Sequence, residues 1–386
     1  MDNKSLNIVY LTHARLPTQK AHGLATVKLC EAFSTQGAKV LLLHAGGLKD
    51  KNTFEFYNIK NNFKEKILPS IDLVYLGIFK KLFFLIHVFT FSVVSALYII
   101  FNHKKYKDSV FFSHNHSVLF FLTFFSYKTF FDVHDFPSVI STVQRVVNKS
   151  FGFSVQTKWK VGALSKKFGI PQEKIIYWPN GIDLNDFNIT QDKLEAREKL
   201  FLPKNEKIIL YTGQLFSWKG VDTLIRAAGV LNAGSSIYIV GGSDEDVIKL
   251  KKQIPDADYS RIKFISFQPH NLIPLWQKAA DVLVLPNTAK EDISLYYTSP
   301  MKLFEYMASG RPIVASRIPS ITEILNETNA YLAEADNPSS FVEKINFALL
   351  NTADSDKIAK VARTEVGQYT WDRRALKISS LLKKAS

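Results

Sequence analysis

The sequence predicts an α/β protein with two doubly wound parallel-sheet domains of similar size, and three observations lead to this prediction. The chain has 386 residues, which is enough for two domains of ordinary size. In both halves, short apolar segments alternate with helical segments, as is typical of βαβ units. A Pro-Asn-Gly turn signal at 179–181 separates the two halves. We therefore expect a first domain over 1–180, a second domain over 181–368 and a closing segment over 369–386.

Each predicted strand of the first domain is a short apolar segment bounded by polar or turn residues. A strand at 7–12, a helix at 24–36 that ends before Gly37, and a strand at 38–44 form a βαβ unit. Because a helix connects them, the two strands are expected to be parallel. The remaining strands of this domain are predicted at 72–76, 109–113, 129–133, 153–157 and 174–178.

The second domain repeats this alternation. Ligands of doubly wound sheets bind at the carboxyl ends of the strands, so two such domains imply a ligand-binding cleft between them. The strands are predicted at 207–212, 236–240, 262–267, 281–285 and 312–315. The helices are predicted at 220–232, 244–253, 270–280, 300–309 and, in the closing segment, 371–384.

Positive charge is concentrated in the first half of the chain. The formal net charge is +14 at pH 7, and residues 1–180 contain 23 Lys or Arg and 10 Asp or Glu, whereas residues 181–386 contain 26 and 25. Such a one-sided field favours an anionic partner, although charge can also serve solubility alone. No nucleic-acid-binding motif accompanies the charge, so we expect no nucleic-acid partner.

Residues 82–101, LFFLIHVFTFSVVSALYIIF, form an uncharged apolar run with lysines on both sides. The run is long enough to span a bilayer, but a spanning helix would leave the two halves of the first domain on opposite sides of the membrane. A wholly buried helix is a second interpretation. A helix that lies in the membrane interface, with its flanking lysines on anionic headgroups, accounts for both the run and the charge.

The expected location is the cytoplasm, on the inner face of the cytoplasmic membrane. The one cysteine, Cys30, excludes an internal disulfide and fits a reducing compartment. The apolar segment at 7–11 is too short for the core of a signal peptide and is interpreted as the first strand.

The sequence TSPMKLFEYMASG at 298–310 contains a helix start that suits an anionic ligand. Ser299 is expected at the N-cap and Pro300 at the first helical position. The next amides then lack partners within the helix and point out of its N-terminus, where a phosphate binds readily, and Lys302 lies in the same turn. Glu305 is expected to lean back toward this end and to accept hydrogen bonds from paired hydroxyls, such as those of a ribose. A solvated surface acid is the alternative interpretation of Glu305.

A strand-to-helix loop with the sequence YTGQLFSWKG, at 211–220, provides a second candidate element. Gly213 allows a ligand to approach the backbone closely, and Lys219 supplies a point charge for a phosphate. A lysine in such a loop is weak evidence alone. Together with the helix start at 299–305, it predicts a nucleoside diphosphate that is held from two sides.

These segments resemble a known family, the family 4 (group 1) retaining glycosyltransferases of the GT-B fold, which has two Rossmann-like domains. The resemblance implies domains that face each other across a cleft, with the closing helix crossing back to the first domain. It also implies transfer of a sugar from a UDP- or GDP-linked donor, with retention at the anomeric carbon and without a metal or other cofactor. The resembling segments, in chain order, are RLPTQKAHGLATVKLCEAF (15–33), FFDVHDFP (130–137), WPNGIDLNDF (178–187), YTGQLFSWKGVDTLI, ADVLVLPN, SPMKLFEYMASGRPIVAS and YTWDRRALKI (369–378).

Individual residues carry over from this comparison. Glu305 matches the glutamate that holds the ribose, and Lys219 matches the lysine on the donor phosphates. Gly23 matches a first-loop glycine whose backbone faces the diphosphate, and His134 matches the histidine beside the transferred sugar. His134, Lys219 and Glu305 are thus the expected catalytic residues. The expected donor-binding residues are Gly23, Gly213, Gln214, Lys219, Thr298, Ser299, Pro300, Met301, Lys302 and Glu305.

Two positions depart from the family pattern. Tyr297 stands where the motif has its first glutamate, and Gln214 stands where an arginine often precedes the lysine by five residues. Lysines and the helix terminus could still stabilise the leaving group, and Glu291 or Asp292 could supply a carboxylate. The departures keep open the interpretation as a catalytically impaired binding subunit. A related enzyme of the same fold with another reaction, such as a sugar-nucleotide epimerase, is a further alternative.

His22, His114 and Asp135 are the candidate residues on the acceptor side, in the first domain. A zinc cluster of His114, His116 and His134 is an alternative, but no suitable cysteine or H-x-x-x-H helix supports it, so we expect no metal. The apolar run and the positive charge of this domain suit a lipid-linked or polysaccharide acceptor of the cell envelope.

Overall fold

The computed structural model describes residues 6–47, 51–73 and 79–385. Within it the chain divides into two compact domains. The first consists of Met1–Gly181 together with Trp371–Ser386, and the second consists of Ile182–Thr370. Each domain has a parallel sheet with helical connections, which confirms the predicted fold class.

The first domain has a seven-stranded parallel sheet. Its strands are β1 (Asn7–Leu16), β2 (Lys39–Gly46), β3 (Lys64–Leu68), β4 (Val110–Ser113), β5 (Lys128–Val133), β6 (Gly152–Val155) and β7 (Ile175–Tyr177). Their order in the sheet is β3-β2-β1-β4-β5-β6-β7, so the direction of winding reverses between β1 and β4. Its helices are α1 (Ala21–Thr35), α2 (Thr53–Tyr57), α3 (Lys80–Phe101), α4 (His103–Tyr106), α5 (His116–Leu122), α6 (Ser141–Lys149), α7 (Lys158–Phe168) and, at the end of the chain, α16 (Trp371–Ala385).

The second domain has a six-stranded parallel sheet. Its strands are β8 (Lys207–Thr212), β9 (Ser235–Val240), β10 (Ile262–Ile265), β11 (Val282–Leu285), β12 (Ile313–Ser316) and β13 (Tyr331–Ala333), in the order β10-β9-β8-β11-β12-β13. The winding reverses between β8 and β11. Its helices are α8 (Lys193–Lys199), α9 (Val221–Ala227), α10 (Asp244–Gln253), α11 (Ile273–Ala279), α12 (Met301–Ser309), α13 (Pro319–Thr322), α14 (Pro338–Leu350) and α15 (Thr352–Glu365).

The strands of the second domain are continuous apolar runs because both faces of the sheet are covered. Ile208 and Leu210 of β8 pack into one hydrophobic cluster, whereas Ile209 and Tyr211 pack into another. Alternate side chains of a strand point to opposite faces, so the sheet lies between two apolar layers. This is the reason that β8 could be predicted from sequence.

One predicted strand of the first domain was placed wrongly. Residues 72 and 73 are not in a strand, and the remainder of the predicted strand, 74–76, lies outside the described residues. The strand at this edge of the sheet is β3, with the sequence KEKIL, and it pairs with β2. Its charged residues conceal it from a search for apolar runs, and charged side chains are common on edge strands.

Helix α3 contains the long apolar run. Of the helices in the described ranges, it is the one long and apolar enough to cross a membrane by length and composition. However, β3 precedes it and β4 follows it in the same sheet. A spanning helix would put these strands on opposite sides of a bilayer, so that interpretation is incompatible with the fold. The interpretation of a wholly buried helix is wrong as well, because Leu85 and Phe89 are 62% and 61% exposed.

Candidate functional site

The candidate residues lie at the points where the winding of each sheet reverses, at the carboxyl ends of β8 and β11 in the second domain and of β1, β4 and β5 in the first. Ligands bind at such points in open parallel sheets. The two sets of residues belong to different domains.

The loop after β8 is shaped by two glycines with left-handed backbone. Gly213 has φ +127°, and a Cβ atom there would lie 2.8 Å from Nζ of Lys302. Gly220 has φ +64°, and a Cβ atom there would lie 2.0 Å from the carbonyl oxygen of Pro286, which follows β11. Both positions therefore require glycine, for conformation and for space. Between them a 3₁₀ turn, Ser217–Lys219, places Nζ of Lys219 3.6 Å from the centre of the Trp218 ring.

Helix α12 begins one residue later than predicted. Pro300 has an extended backbone (ψ 124°) and is the N-cap, and Met301 is the first helical residue. The prediction of Ser299 as N-cap and Pro300 as first helical residue was therefore wrong by one position. The Pro300 carbonyl accepts a hydrogen bond from the amide of Leu303 at 3.0 Å. The amides of Met301 and Lys302 precede any possible acceptor within the helix, so they point out of its N-terminus.

Lys302 holds a buried ammonium group beside this terminus. The residue is 8% exposed, and Nζ lies 3.6 Å from the centre of the Tyr211 ring. Within the described residues no atom accepts a hydrogen bond from Nζ. A buried charge without a hydrogen-bonding partner is costly, so the ammonium form of Lys302 is disfavoured here.

Glu305 lies one turn further along α12, and its side chain is 12% exposed. Its Oε1 is 3.4 Å from Nε2 of His270, in the short 3₁₀ turn His270–Leu272. The second domain thus combines two lysines, one carboxylate and one histidine around the start of α12. The alternative interpretation of Glu305 as a solvated surface acid is wrong.

The electrostatics of this cluster favour an incoming anion. Burial lowers the pKa of Lys219 to about 7, although the Glu305 carboxylate acts in the opposite direction. Burial lowers the pKa of Lys302 well below its usual range, the repulsion of Lys219 adds to this effect, and Glu305 opposes it. One carboxylate therefore does not compensate for two lysines. A bound phosphate would raise both pKa values by favouring the ammonium forms.

Tyr297, at the position of the missing glutamate, ends a π-helix, Ile293–Tyr297. Its hydroxyl donates a hydrogen bond to Oδ2 of Asp292 at 3.3 Å. Single π-helical turns are frequent at functional sites. The structure thus places one carboxylate, that of Asp292, next to the side chain that replaces the glutamate of the motif. Thr298, which follows, donates its amide to the carbonyl of Ile293 at 3.0 Å.

In the first domain, His134 follows β5 and is held by Asp132. Nε2 of His134 lies 2.8 Å from Oδ2 of Asp132. Arg374 of α16 donates to both oxygens of Asp132, at 2.9 and 3.1 Å, and this ion pair is buried. Burial alone would raise the pKa of Asp132, but Arg374 and His134 together lower it below its usual range. Asp132 is thus a carboxylate that accepts the proton of Nε2.

Asp132 and Arg374 are not among the residues predicted from sequence. Asp135, the residue after His134, was predicted on the acceptor side, but it is exposed, and the acid that contacts His134 is Asp132. One signal for Arg374 was present, because it shares one face of α16 with the buried Trp371, Ala375 and Ile378. An arginine on an apolar helix face requires a buried partner.

His114 lies beside His134. The two rings stack with their centres 5.0 Å apart, and Nδ1 of His114 is 3.0 Å from the Tyr10 hydroxyl. Burial lowers the pKa of His114 well below its usual range, and His134 acts in the same direction. Burial also lowers the pKa of His22 to about 4. Both histidines are therefore neutral at pH 7 and can serve as hydrogen-bond donors or acceptors rather than as charges.

Gly23 has a packing role in the structure. The first loop ends earlier than predicted, and Gly23 lies in the first turn of α1, where its amide donates to the carbonyl of Lys20 at 3.0 Å. A Cβ atom at Gly23 would lie 2.3 Å from the hydroxyl of Tyr57 and 2.6 Å from Thr18. The absence of a side chain is therefore explained by the close approach of Tyr57.

Across residues 6–47, 51–73 and 79–385, no group of three or more His, Cys, Asp or Glu side chains is arranged to hold a metal ion. The zinc alternative for His114, His116 and His134 thus has no structural support within these ranges.

Comparison with known proteins indicates a glycosyltransferase. Residues 192–365 match the family described as glycosyl transferases group 1. The chain is 27% identical over 229 residues to an uncharacterized glycosyltransferase of Methanocaldococcus jannaschii, which covers 56% of both chains. It is 28% identical over 202 residues to the amylovoran biosynthesis glycosyltransferase AmsK of Erwinia amylovora, which covers 51% of this chain and 47% of AmsK. The chain spans about half the length of the curated relatives it matches.

A solved structure extends the likeness to the whole chain. The crystal structure of Anabaena HepE in complex with UDP superposes with a TM-score of 0.76 at 18% identity, over 98% of this chain and 100% of that one. HepE has also been solved with UDP-glucose. At this identity the likeness concerns the fold. Residues 192–365 therefore match the group 1 glycosyl transferases, and the chain as a whole has the GT-B fold.

Proposed function

We propose that the protein transfers a sugar from a nucleoside diphosphate sugar to an envelope acceptor, with retention of configuration at the anomeric carbon. The observation that carries this proposal is the buried amino group of Lys302 at the N-terminus of α12, which has no hydrogen-bond acceptor among the described residues and has Lys219 and Glu305 beside it. An anionic diphosphate satisfies the two lysines and the helix terminus together. Paired ribose hydroxyls satisfy the carboxylate of Glu305.

The donor is expected to be UDP- or GDP-linked. HepE, which shares the fold, was solved with UDP and UDP-glucose. These names support a uridine nucleotide as the first ligand to test. Thr298, Ser299, Pro300 and Met301 form the backbone leading into α12, which is where the donor sugar and phosphates would contact main-chain groups.

The mechanism follows from where charge develops. As the bond between the anomeric carbon and the β-phosphate oxygen breaks, negative charge grows on that oxygen. Lys219, Lys302 and the first amides of α12 stabilise this charge, which lowers the barrier in the way expected for preorganised donors. The acceptor hydroxyl attacks from the same face, and its proton passes to the departing phosphate oxygen. No metal or other cofactor is needed in this scheme, because the lysines supply the positive charge.

His134 is proposed to contact the transferred sugar from the first domain. Asp132 fixes Nε2 of its ring as the protonated nitrogen, and Lys160 donates to its carbonyl oxygen, so both ring and backbone are held. His22 and His114 are proposed on the acceptor side. An acceptor that is lipid-linked, or part of a polysaccharide, is supported by the name of AmsK, an amylovoran biosynthesis enzyme. The proposed location is the cytoplasm, on the inner face of the cytoplasmic membrane.

A catalytically impaired binding subunit is the second candidate, and Gln214 and Tyr297 are the observations that favour it. The lost arginine and glutamate remove one cation and one carboxylate from the family pattern. The two candidates differ in one measurement, because only the transferase releases nucleoside diphosphate in the presence of an acceptor. An epimerase would instead convert the donor without any acceptor.

The test is calorimetric titration of wild type and Glu305→Gln with UDP, GDP, inorganic pyrophosphate and the corresponding nucleotide sugars. We expect one nucleotide to bind the wild type. Glu305→Gln should bind it about 10- to 150-fold more weakly, because a charged hydrogen bond is worth about 1.5–3 kcal/mol. Pyrophosphate, which has no ribose, should bind the variant at least as tightly as the wild type.

Glu343→Gln, on the exposed surface of α14, is the matched control and should bind like the wild type. If no nucleotide binds the wild type, the proposed function is wrong. If the anomeric configuration of the product is inverted, or if EDTA abolishes turnover, the proposed mechanism is wrong.

A further inference from the structure

Helix α3 is apolar on all sides, but the first domain covers only one of them. Its buried residues are His87, Phe91, Ser92, Ser95, Ala96 and Ile99. Its most apolar 18-residue window has a mean hydropathy of 2.2 and is 33% buried. On the uncovered side, Leu82, Leu85 and Phe89 follow one another at spacings of three and four residues, so they share one face. A helix that is hydrophobic all round is normally fully enclosed or in contact with lipid.

The apolar surface continues from α3 onto the end of α5. The ring of Phe89 lies 5.9 Å from that of Phe121, at the junction of the two helices. Phe124 and Phe125, just after α5, are 56% and 49% exposed. We call this surface the α3 face, which consists of Leu82, Leu85, Phe89, Leu97, Phe101, Phe124 and Phe125. Contiguous apolar surface of this kind marks an interaction site.

The charge around the α3 face identifies its partner. Lys80 and Lys81 begin α3, and Lys104 and Lys105 follow it in α4, all four exposed. No acidic residue lies between Lys80 and Lys107. Lysines at both ends of an exposed apolar helix fit a bilayer with anionic headgroups, in which the rings enter the interface and the ammonium groups meet phosphates. A second copy of this chain would bring a second positive domain against the first, which like-charge repulsion opposes.

We propose that the α3 face docks on an anionic phospholipid bilayer, with α3 lying in the plane of the interface. The position of α3 in the domain gives this docking a direction. Nε2 of His87 lies 2.8 Å from the carbonyl oxygen of His13, and the ring of Phe84 lies 5.6 Å from that of His13. His13 is in the carboxyl-terminal half of β1. The start of α3 therefore lies on the side of the sheet where the strands have their carboxyl ends and where His114 and His134 follow β4 and β5.

Docking therefore brings lipid headgroups close to the carboxyl ends of the strands of the first domain, where the acceptor is proposed to react. A lipid-linked acceptor can present its polar end to this edge while its chain remains in the bilayer. This last point rests on the proposed function, whereas the docking itself does not, and the experiment below measures docking without any turnover.

The first experiment uses the single native cysteine. Cys30 is buried, so a thiol-reactive, polarity-sensitive fluorophore labels only a cysteine that is newly introduced. Leu85→Cys places the label on the α3 face, and Phe201→Cys places it at a 95% exposed site in the second domain. Vesicles of phosphatidylcholine with phosphatidylglycerol should shift the emission of the first label to the blue and leave the second unchanged. High salt, or vesicles of phosphatidylcholine alone, should reduce the shift.

The second experiment introduces negative charge on the α3 face and, separately, removes positive charge beside it. Leu85→Glu with Phe89→Glu should weaken co-sedimentation with these vesicles by about tenfold or more, whereas Phe201→Glu should not. Lys80→Gln with Lys81→Gln should weaken it more than Lys251→Gln with Lys252→Gln on the exposed surface of α10. Circular dichroism confirms that the variants are folded, which is expected because the substituted side chains are exposed.

Three results overturn the proposal. In the first, the wild type stays in the supernatant with anionic vesicles at low salt. In the second, the glutamate variant sediments like the wild type. In the third, light scattering shows a wild-type dimer that the glutamate variant dissociates while vesicle binding is unchanged, which would mean that a second copy covers the α3 face.

Discussion

Replacing Lys302 with methionine is expected to stabilise the free protein and to weaken its binding of UDP. Methionine preserves most of the volume and the apolar stem, and it removes the ammonium group. Nζ is buried, has no hydrogen-bond acceptor within the described residues, and is repelled by Lys219. The substitution should therefore raise the stability of the free protein and lower its affinity for UDP. For a lysine with only a structural role, the substitution would lower stability as well.

The magnitudes can be worked out separately. Removing an unsatisfied buried donor recovers about 1–3 kcal/mol, while losing the contact with the Tyr211 ring costs about 1–2 kcal/mol. The net change in the free energy of unfolding therefore lies between about −1 and +2 kcal/mol, and a gain of 1 kcal/mol raises the Tm of a domain of this size by about 2–4 °C. The lost charged contact with phosphate costs about 1.5–3 kcal/mol of binding free energy, or about 10- to 150-fold in Kd.

Differential scanning calorimetry of the free protein measures the first effect, and calorimetric titration with UDP measures the second. Lys252→Met, on the exposed surface of α10, is the matched control and should change neither. The reasoning is refuted if Lys302→Met binds UDP as tightly as the wild type. It is refuted equally if the Tm of the variant is more than about 4 °C below that of the wild type, since a loss of that size would show that Lys302 is satisfied in the free protein.

Three further predictions concern pH, a buried ion pair and a turn. The pKa of Lys219 is about 7 in the folded protein and about 10.4 in the unfolded chain. Between these two pH values the unfolded state binds more protons than the folded state. Lys219 therefore makes the free energy of unfolding rise with pH across this window. The stability advantage of Lys219→Gln over the wild type should therefore shrink from pH 7 to pH 10 in urea denaturation. Asp132→Asn should destabilise the first domain by about 3–5 kcal/mol, because it leaves the Arg374 guanidinium buried without a counter-charge. Gly220→Ala should cost at least about 1–3 kcal/mol in denaturant unfolding, because a Cβ atom would lie 2.0 Å from the Pro286 oxygen.

Each of these has its own control. For the pH prediction, Lys252→Gln should show no pH-dependent difference from the wild type. For the ion pair, Asp132→Asn combined with Arg374→Met should cost less than the two single changes added together, and strict additivity would contradict the coupling. For the turn, Gly234 has a similar φ of +78° with open space around it. Equal losses in Gly220→Ala and Gly234→Ala would show that conformation alone, and not the close approach of Pro286, determines the cost.

The parts of the site that sequence could predict are those whose signal is local. Lys219, Lys302 and Glu305 belong to a strand-to-helix loop and a helix start, and short-range patterns of this kind are visible in a single sequence. The structure brings these three side chains within electrostatic reach of one another. The helix start itself was misplaced by one residue, because proline is common both at the cap and just inside it.

The parts that sequence could not predict depend on contacts between distant positions. Asp132 and Arg374 are 242 residues apart, and the pairing of the two is visible only in the folded domain. His270 approaches Glu305 from a turn 35 residues away. For Asp135 the local pattern was misleading. Asp135 follows His134 directly in sequence but is exposed, whereas Asp132, two positions before His134, is buried and contacts its ring.

The return of α16 to the first domain has a consequence for how this protein is made. A ribosome completes residues 1–181 and then the entire second domain before it synthesises Arg374, the cation that neutralises the buried Asp132. The side chain of Leu381 approaches so near to Gly152 of β6 that a Cβ atom there would lie 2.8 Å away. The amino-terminal domain therefore lacks part of its core, and Asp132 lacks its counter-charge, until Trp371–Ala385 leaves the exit tunnel. In this protein the first domain can close only after the whole second domain has been synthesised.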